Sequence, residues 1–261
     1  MQDLRITPIQ APLVWEDRAA NLSYFTERLA PLAGQTDLVI LPEMFTTGFT
    51  MNPGPHAEDM AGPTMEWLAQ TAARLRAAIA GSLIIRENGR HYNRFVFMRS
   101  SGEYDTYDKR YPFTLSGEHE HYARGDKRVV IDYRGWRIRP LICYDLRFPV
   151  WSANAAENPY DLLIYVASWP NKRAYDWRTL LRARAIENQA YVVGVNRLGT
   201  DAYGLTYAGD SCVIDPGPDR DWLDLASDEE IKTASLSYDR LMALRRQLPF
   251  LQDGDPFHVD H

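Results

Sequence analysis

Four short, nearly continuous apolar runs punctuate the chain: Leu38-Val39-Ile40-Leu41, Ile138 to Ile142 with Arg139 and Pro140 inside it, Leu162 to Val166, and Tyr191-Val192-Val193. Their spacing alone also fits buried helix, but their length favours strands covered on both faces. Between them, apolar residues recur at steps of three and four. Leu22, Phe25, Leu29 and Leu32 form one such stripe, and Met65, Leu68, Ala72, Leu75 and Ile79 form a second after Gly62-Pro63. Trp177, Leu180, Leu181 and Ile186 mark a third, and a shorter helix is expected after Pro149. The stretches Arg94 to Arg99 and Val129 to Trp136 alternate and read as strands, with turns at Ser101-Gly102 and Arg134-Gly135. Strands interleaved with helices and hairpins define an α/β class with a mixed sheet.

Composition narrows the class of partner. The 261 residues carry 29 Lys+Arg against 35 Asp+Glu, a formal charge of −6, so no basic field is available for a phosphate backbone and no nucleic-acid partner is expected. The N-terminal stretch lacks the apolar run of a signal peptide. No segment approaches the ~18 consecutive apolar residues of a membrane span, so no membrane partner is expected. Two cysteines, Cys143 and Cys212, fit a reduced cytoplasmic protein rather than a disulfide framework. No Pro/Gly/Ser linker, charge block or repeat divides the chain. A single domain over 1–261 is therefore expected, with 249–261 as a C-terminal arm lacking periodicity.

In α/β sheets reactive groups gather where strands end and loops leave the core. Glu43 follows the run DLVILP, Cys143 follows IRPLI, Trp169 follows LLIYVAS, and Lys109 closes EYDTYDK. Singly, each has an ordinary role: a small core thiol, a capping carboxylate, a solvated lysine. Cys212 is assigned to the core. Together Glu43, Lys109 and Cys143 make chemical sense, because a thiol with pKa ~8.5 needs a base or a cation to react near neutrality. Of the six histidines only His119 and His121 fall in a segment assigned to a cleft, and a buried carboxylate can replace histidine as the base. A metal reading of His119 and His121 is natural if they sit at i, i+2 on a strand beside Glu118 and Glu120. No third ligand stands at a recognisable spacing, so neither metal nor cofactor is expected. Arg182, Arg184 and Glu187 read as an ion-paired helix face.

Glu43 in LPEMFTTGF, Lys109 in YDKRYPF and Cys143 in LICYDLRFP resemble, in order and context, the Glu-Lys-Cys triad of the nitrilase superfamily of carbon–nitrogen hydrolases. The later segments WPNKRAYDWRTLLRARAIENQAYVVGVNRLG and YAGDSCVIDP are similar to the same superfamily, so the resemblance spans nearly the whole chain. It implies a four-layer αββα sandwich, paired into a homodimer through a helical face. It also implies a second glutamate, matched by Glu118 eight residues before Asp126, with Glu120 the rival by position.

The chemistry implied is attack of the Cys143 thiolate on an amide carbon with Glu43 as base, Lys109 and the Tyr144 N–H holding the oxyanion, and a thioester intermediate. CYDLRFP departs from the Cys-Trp-Glu pattern of true nitrilases. The motifs look most like the ω-amidase branch, which hydrolyses the terminal amide of 2-oxo acids such as 2-oxoglutaramate and 2-oxosuccinamate. An aliphatic amidase, a carbamoylase and a non-catalytic scaffold on the same fold are the alternatives. A substrate carboxylate requires a cation, for which Arg147, Arg173 and Arg197 are candidates, with Trp169 as an apolar wall.

Overall fold

Alternation inside the short apolar runs builds two layers at once. Leu38 and Ile40, Ala78 and Ala80, and Phe95 and Phe97 face one core. Their neighbours Val39, Leu41, Ile79 and Val96 face another. Such two-sided burial is what a strand between a sheet and a helical layer requires. A computed structural model describes residues 2–218, 222–225, 229 and 231–255.

The first sheet contains β1 (Leu4–Pro8), β2 (Leu38–Ile40), β3 (Ala78–Glu87), β4 (Arg90–Met98) and β5 (Tyr104–Asp108). The second contains β6 (Ile131–Tyr133), β7 (Trp136–Ile142), β8 (Leu162–Ala167) and β9 (Tyr191–Asn196). A separate hairpin, β10 (Leu198–Thr200) and β11 (Thr206–Ala208), leads to β12 (Cys212–Ile214) and β13 (Trp222–Asp224), which complete the second sheet. Strand β14 (Ala234–Leu236) returns to the first. The spatial orders are β14-β1-β2-β3-β4-β5 and β13-β12-β9-β8-β7-β6, parallel within β1-β2-β3 and β7-β8-β9 and antiparallel elsewhere.

Helices α1 (Arg18–Leu29), α2 (Pro53–His56) and α3 (Pro63–Leu75) precede β3, and α4 (Glu118–His121) and α5 (Pro149–Ser152) are single turns, the first following β5 and the second following β7. Helices α6 (Ala174–Asn188) and α7 (Tyr238–Gln247) follow. Phe25 and Leu29 of α1 and Leu68, Ala72 and Leu75 of α3 cover the first sheet. Trp177, Leu181 and Ala185 of α6 cover the second. The layers are helix, sheet, sheet, helix: the αββα sandwich. Gly194 in β9 is needed for this closeness, since a Cβ there would lie 2.5 Å from Leu181 Cδ1. Among the described residues no helix is long and apolar enough to cross a membrane.

Several boundaries differ from the sequence pattern. Ile79 belongs to β3, because α3 stops when Arg76 turns left-handed at φ 56° and its N–H caps Ala72 and Ala73. The four-residue step from Leu75 to Ile79 merely preserves the helical spacing across that turn. Leu32 lies in the 3₁₀ turn Ala30–Leu32 that Pro31 helps start. Ile186 is exposed, and α6 instead turns Arg184 and Asn188 inward. Between Val129 and Trp136 only Ile131–Tyr133 is a strand before Arg134-Gly135 turns with φ of 51° and 84°. His119 and His121 sit on the turn α4, not on a strand, so they do not share a face. Of the expected C-terminal arm, Phe250–Asp253 forms a 3₁₀ turn, and 256–261 lie outside the described residues.

Pro140 interrupts β7 where its missing N–H costs little. Arg137 faces β8, accepting from Asp161 N, so alternate positions 138, 140 and 142 face the β6 side. There β6 pairs only as far as Ile131↔Ile138, and the Ile142 N–H goes to the Asp145 side chain instead.

Candidate active site

The ends of β7 and β8 place Cys143 and Ser168 in the wall of a pocket of about 440 Å³, and polar residues from or just beyond β2, β4 and β5 gather beside them. Beyond β2 the chain stays paired to β3 through Leu41 N to Ala80 O, and Met44 is held by Ser82 Oγ. Glu43 is thereby turned inward with no exposure. Its Oε1 accepts from Lys109 Nζ at 2.9 Å and Asn93 Nδ2 at 2.8 Å, and its Oε2 accepts from Ser168 N–H at 2.8 Å.

Lys109 follows β5 and is fixed at its own backbone by Asn93 O and Gly125 N–H. Its ammonium donates to Glu118 Oε1 at 3.0 Å and Oε2 at 2.8 Å as well as to Glu43. It also lies 5.0 Å from the centre of the Phe49 ring. Glu118, wholly buried at the start of α4, is further held by the Phe113 N–H. Glu120, two residues on, is exposed. Helical geometry decides between the two glutamates, because positions i and i+2 point about 200° apart on a helix.

The cluster holds two carboxylates and one ammonium, a net charge of −1, before the thiol is counted. Burial alone would lower the lysine pKa, but Glu118 and Glu43 outweigh it and keep the ammonium charged. Burial raises Glu118 above the usual carboxylate range against the opposing pull of Lys109. Burial and the Glu43 charge push the Cys143 thiol well up, with Lys109 opposing. Cys143 therefore rests as a thiol, beside a carboxylate placed to take its proton.

Cys143 begins the 3₁₀ turn Cys143–Arg147 directly after β7 and adopts φ 43°, a left-handed conformation that costs a side-chain-bearing residue roughly 1–2 kcal/mol. The bend projects the thiol into the pocket. Tyr144 comes next, where the first N–H groups of a helical turn lack partners within it.

The pocket wall is mostly aromatic and apolar: Phe49, Phe113, Tyr144, Trp169, Tyr203 and Tyr207 all contribute. Ser168 lines it beside Cys143, and its buried Oγ has no hydrogen-bond partner among the described residues. Arg147 and Arg173 also line it. Arg147 is paired with Asp176 at 2.6 Å and stacks over Trp169 at 4.9 Å. Arg173 lies over the Phe113 ring at 5.4 Å. Arg197 does not reach the pocket. It is buried under the β10–β11 hairpin, donating to the carbonyls of Leu13 and Leu198 and stacking on Tyr207.

Glu43, Lys109, Glu118, Cys143, Tyr144, Arg147 and Trp169 thus converge, while Arg197 is set aside. His119 and His121 are exposed, and among the described residues no group of three potential ligands could hold a metal. Cys212 is buried in β12. Pattern reading missed Asn93, Ser168 and Asp145. The only signal for Asn93 was a polar residue placed in a strand that the sheet buries.

A hydrolase-type sandwich with a buried Glu-Lys-Cys cluster at its strand ends defines the class. A family model described as carbon-nitrogen hydrolase matches residues 5–220, and the chain belongs to that family. It is 45% identical to the omega-amidase YafV of Escherichia coli, over 99% of this chain and 100% of that protein. It is 32% identical to the 2-oxoglutaramate amidase of Bacillus subtilis, over 83% of this chain and 84% of that one. The solved structure of a CN-hydrolase superfamily protein from Xanthomonas campestris, which carries an arsenic adduct in its active site, superposes with a TM-score of 0.96 at 45% identity, covering 100% of both chains. The protein is an enzyme that hydrolyses carbon–nitrogen bonds.

Proposed function

We propose that the enzyme releases ammonia from the terminal amide of small 2-oxo acid amides, 2-oxoglutaramate and 2-oxosuccinamate, through a thioester on Cys143. The observation that carries this reading is the closed Glu43–Lys109–Glu118 cluster beside a thiol in a pocket bearing arginines. The near-full-length likeness to an omega-amidase supports the choice of substrate class.

Glu43 takes the thiol proton as Cys143 Sγ attacks the amide carbon, and the carbonyl oxygen becomes an oxyanion held by Lys109 Nζ and the Tyr144 N–H. Glu43 then passes that proton to the departing nitrogen, which leaves as ammonia. Water attacks the thioester with Glu43 as base, releasing the acid and returning the proton to sulfur. Glu118 neutralises and orients Lys109. The distal carboxylate of the substrate lies against Arg147 and Arg173, with Trp169 and Tyr144 as walls.

The chain acts as one domain, 1–261, in a reducing compartment such as the cytoplasm. It pairs as a homodimer through the α6 face, where Tyr175 and Ile186 are exposed. Ammonia release measured across 2-oxoglutaramate, 2-oxosuccinamate, glutamine, aliphatic amides, carbamoyl amino acids and nitriles tests the substrate. The highest kcat/KM is expected for the two 2-oxo acid amides. Turnover confined to any of the other classes would replace this reading with an aliphatic amidase, carbamoylase or nitrilase.

A further inference from the structure

Asp145 is a wholly buried carboxylate that no step above uses, and among the described residues it forms no ion pair. Its charge is met instead by three donors. Tyr107 OH donates to Oδ2 at 2.8 Å, Ile142 N–H to Oδ2 at 3.0 Å, and Tyr111 N–H to Oδ1 at 2.9 Å. Two of these donors stand two residues to either side of Lys109, and the third is next to Cys143. The Tyr107 hydroxyl is itself fixed, accepting from Arg110 N–H at 3.2 Å and Trp151 Nε1 at 2.9 Å.

The lysine-bearing segment and the cysteine-bearing turn belong to different sheets, β5 in the first and β7 in the second. No strand ladder fixes their separation. The strained conformation of Cys143 also needs its surroundings to over-determine it. We infer that Asp145 is a positioning residue, a clamp whose two oxygens tie the Lys109 segment to the Cys143 turn and so set the placement of the lysine ammonium relative to the nucleophilic sulfur. Three donors aimed at its two oxygens call for the ionised, acceptor-only form, and these hydrogen bonds oppose the burial that pushes Asp145 up to about 6.

The inference rests on Lys109 and Cys143 forming the catalytic pair, and its test separates the two claims. Asp145→Asn keeps the shape but turns an amide N–H₂ toward either Tyr111 N–H or the Tyr107–Ile142 pair. Tyr107→Phe removes one donor and leaves both backbone donors in place. Competent sites are counted by titrating Cys143 with a thiol reagent, and kcat per competent site is measured with the amide turned over fastest in the panel above. Asp145→Asn is expected to lower kcat per competent site by about 10²-fold, the scale of an ångström-sized misplacement, with KM within about threefold of wild type. Tyr107→Phe is expected to lower it by about tenfold, and the pH profile of Cys143 alkylation should move in both variants. The clamp is refuted if both variants show wild-type kcat per competent site and an unchanged alkylation profile, whatever their melting temperatures. An active Cys143→Ala enzyme would instead overturn the catalytic pair itself.

Discussion

Strand β2 carries a buried carboxylate beyond each end, and the two behave oppositely. At its start Asp37 accepts from the backbone and guanidinium of Arg5 and pairs with Arg134, both arginines about 44% exposed. At its far end Glu43 meets Lys109, whose side chain is 1% exposed, with a second carboxylate on the lysine's other side. Burial pushes Asp37 up, but the Arg5 hydrogen bonds and the Arg134 charge outweigh it and hold the group below the usual carboxylate range. At the other end burial wins for Glu118 and Cys143, and both are raised. Pairing a carboxylate with cations that reach water makes a staple between strands. Sealing two carboxylates, one ammonium and a thiol together leaves protons easy to move.

Substitutions at four positions break this comparison at different depths. Cys143→Ala or Cys143→Ser should abolish ammonia release while leaving the circular dichroism spectrum unchanged, and residual turnover in either would remove the nucleophile assignment. Lys109→Met should cost about 10³-fold or more in kcat, because the oxyanion loses its cation and two buried carboxylates face one another. It should also lower stability by about 3–5 kcal/mol in denaturant unfolding, the usual cost of breaking a buried pair.

At the other end, Asp37→Asn should leave kcat per competent site unchanged and cost about 1–3 kcal/mol. Its pH signature is the sharper readout. Asp37 has a depressed folded-state pKa, so its contribution to stability is present above the unfolded value near 4 and is lost as pH falls through the folded one. The asparagine variant should therefore show a shallower acid limb than wild type when melting temperature is followed from pH 6 downward. Arg134→Ala is the mildest, at about 0–1 kcal/mol, since its side chain remains partly in water. A large activity loss in either of these last two variants would mean the ends of β2 are coupled.

How far the sequence reveals such a site depends on where each residue's partners come from. Glu43 and Cys143 were legible because each ends an apolar run, where the change in periodicity marks a strand giving way to a loop. Arg197 was misjudged for the opposite reason. It follows the β9 run, but the β10–β11 hairpin, which forms its own two-stranded sheet and is tied to Ala11 by the Leu198 N–H, covers it. Asn93 and Asp145 were illegible because their roles come from neighbours contributed by distant segments, which no local spacing encodes. The choice between Glu118 and Glu120, and the fate of His119 and His121, turned on whether four residues form a helical turn or a strand.

The placement of Pro140 bears on how copies of the enzyme can meet. Past the end of β6, the outer flank of β7 offers no N–H at position 140, and the next one, at Ile142, is already taken by Asp145. Pro140 and Ile142 are also buried, so an incoming strand would find neither access nor a ladder to extend at this flank. A contact between copies at this flank would therefore have to be made by side chains rather than by a shared ladder.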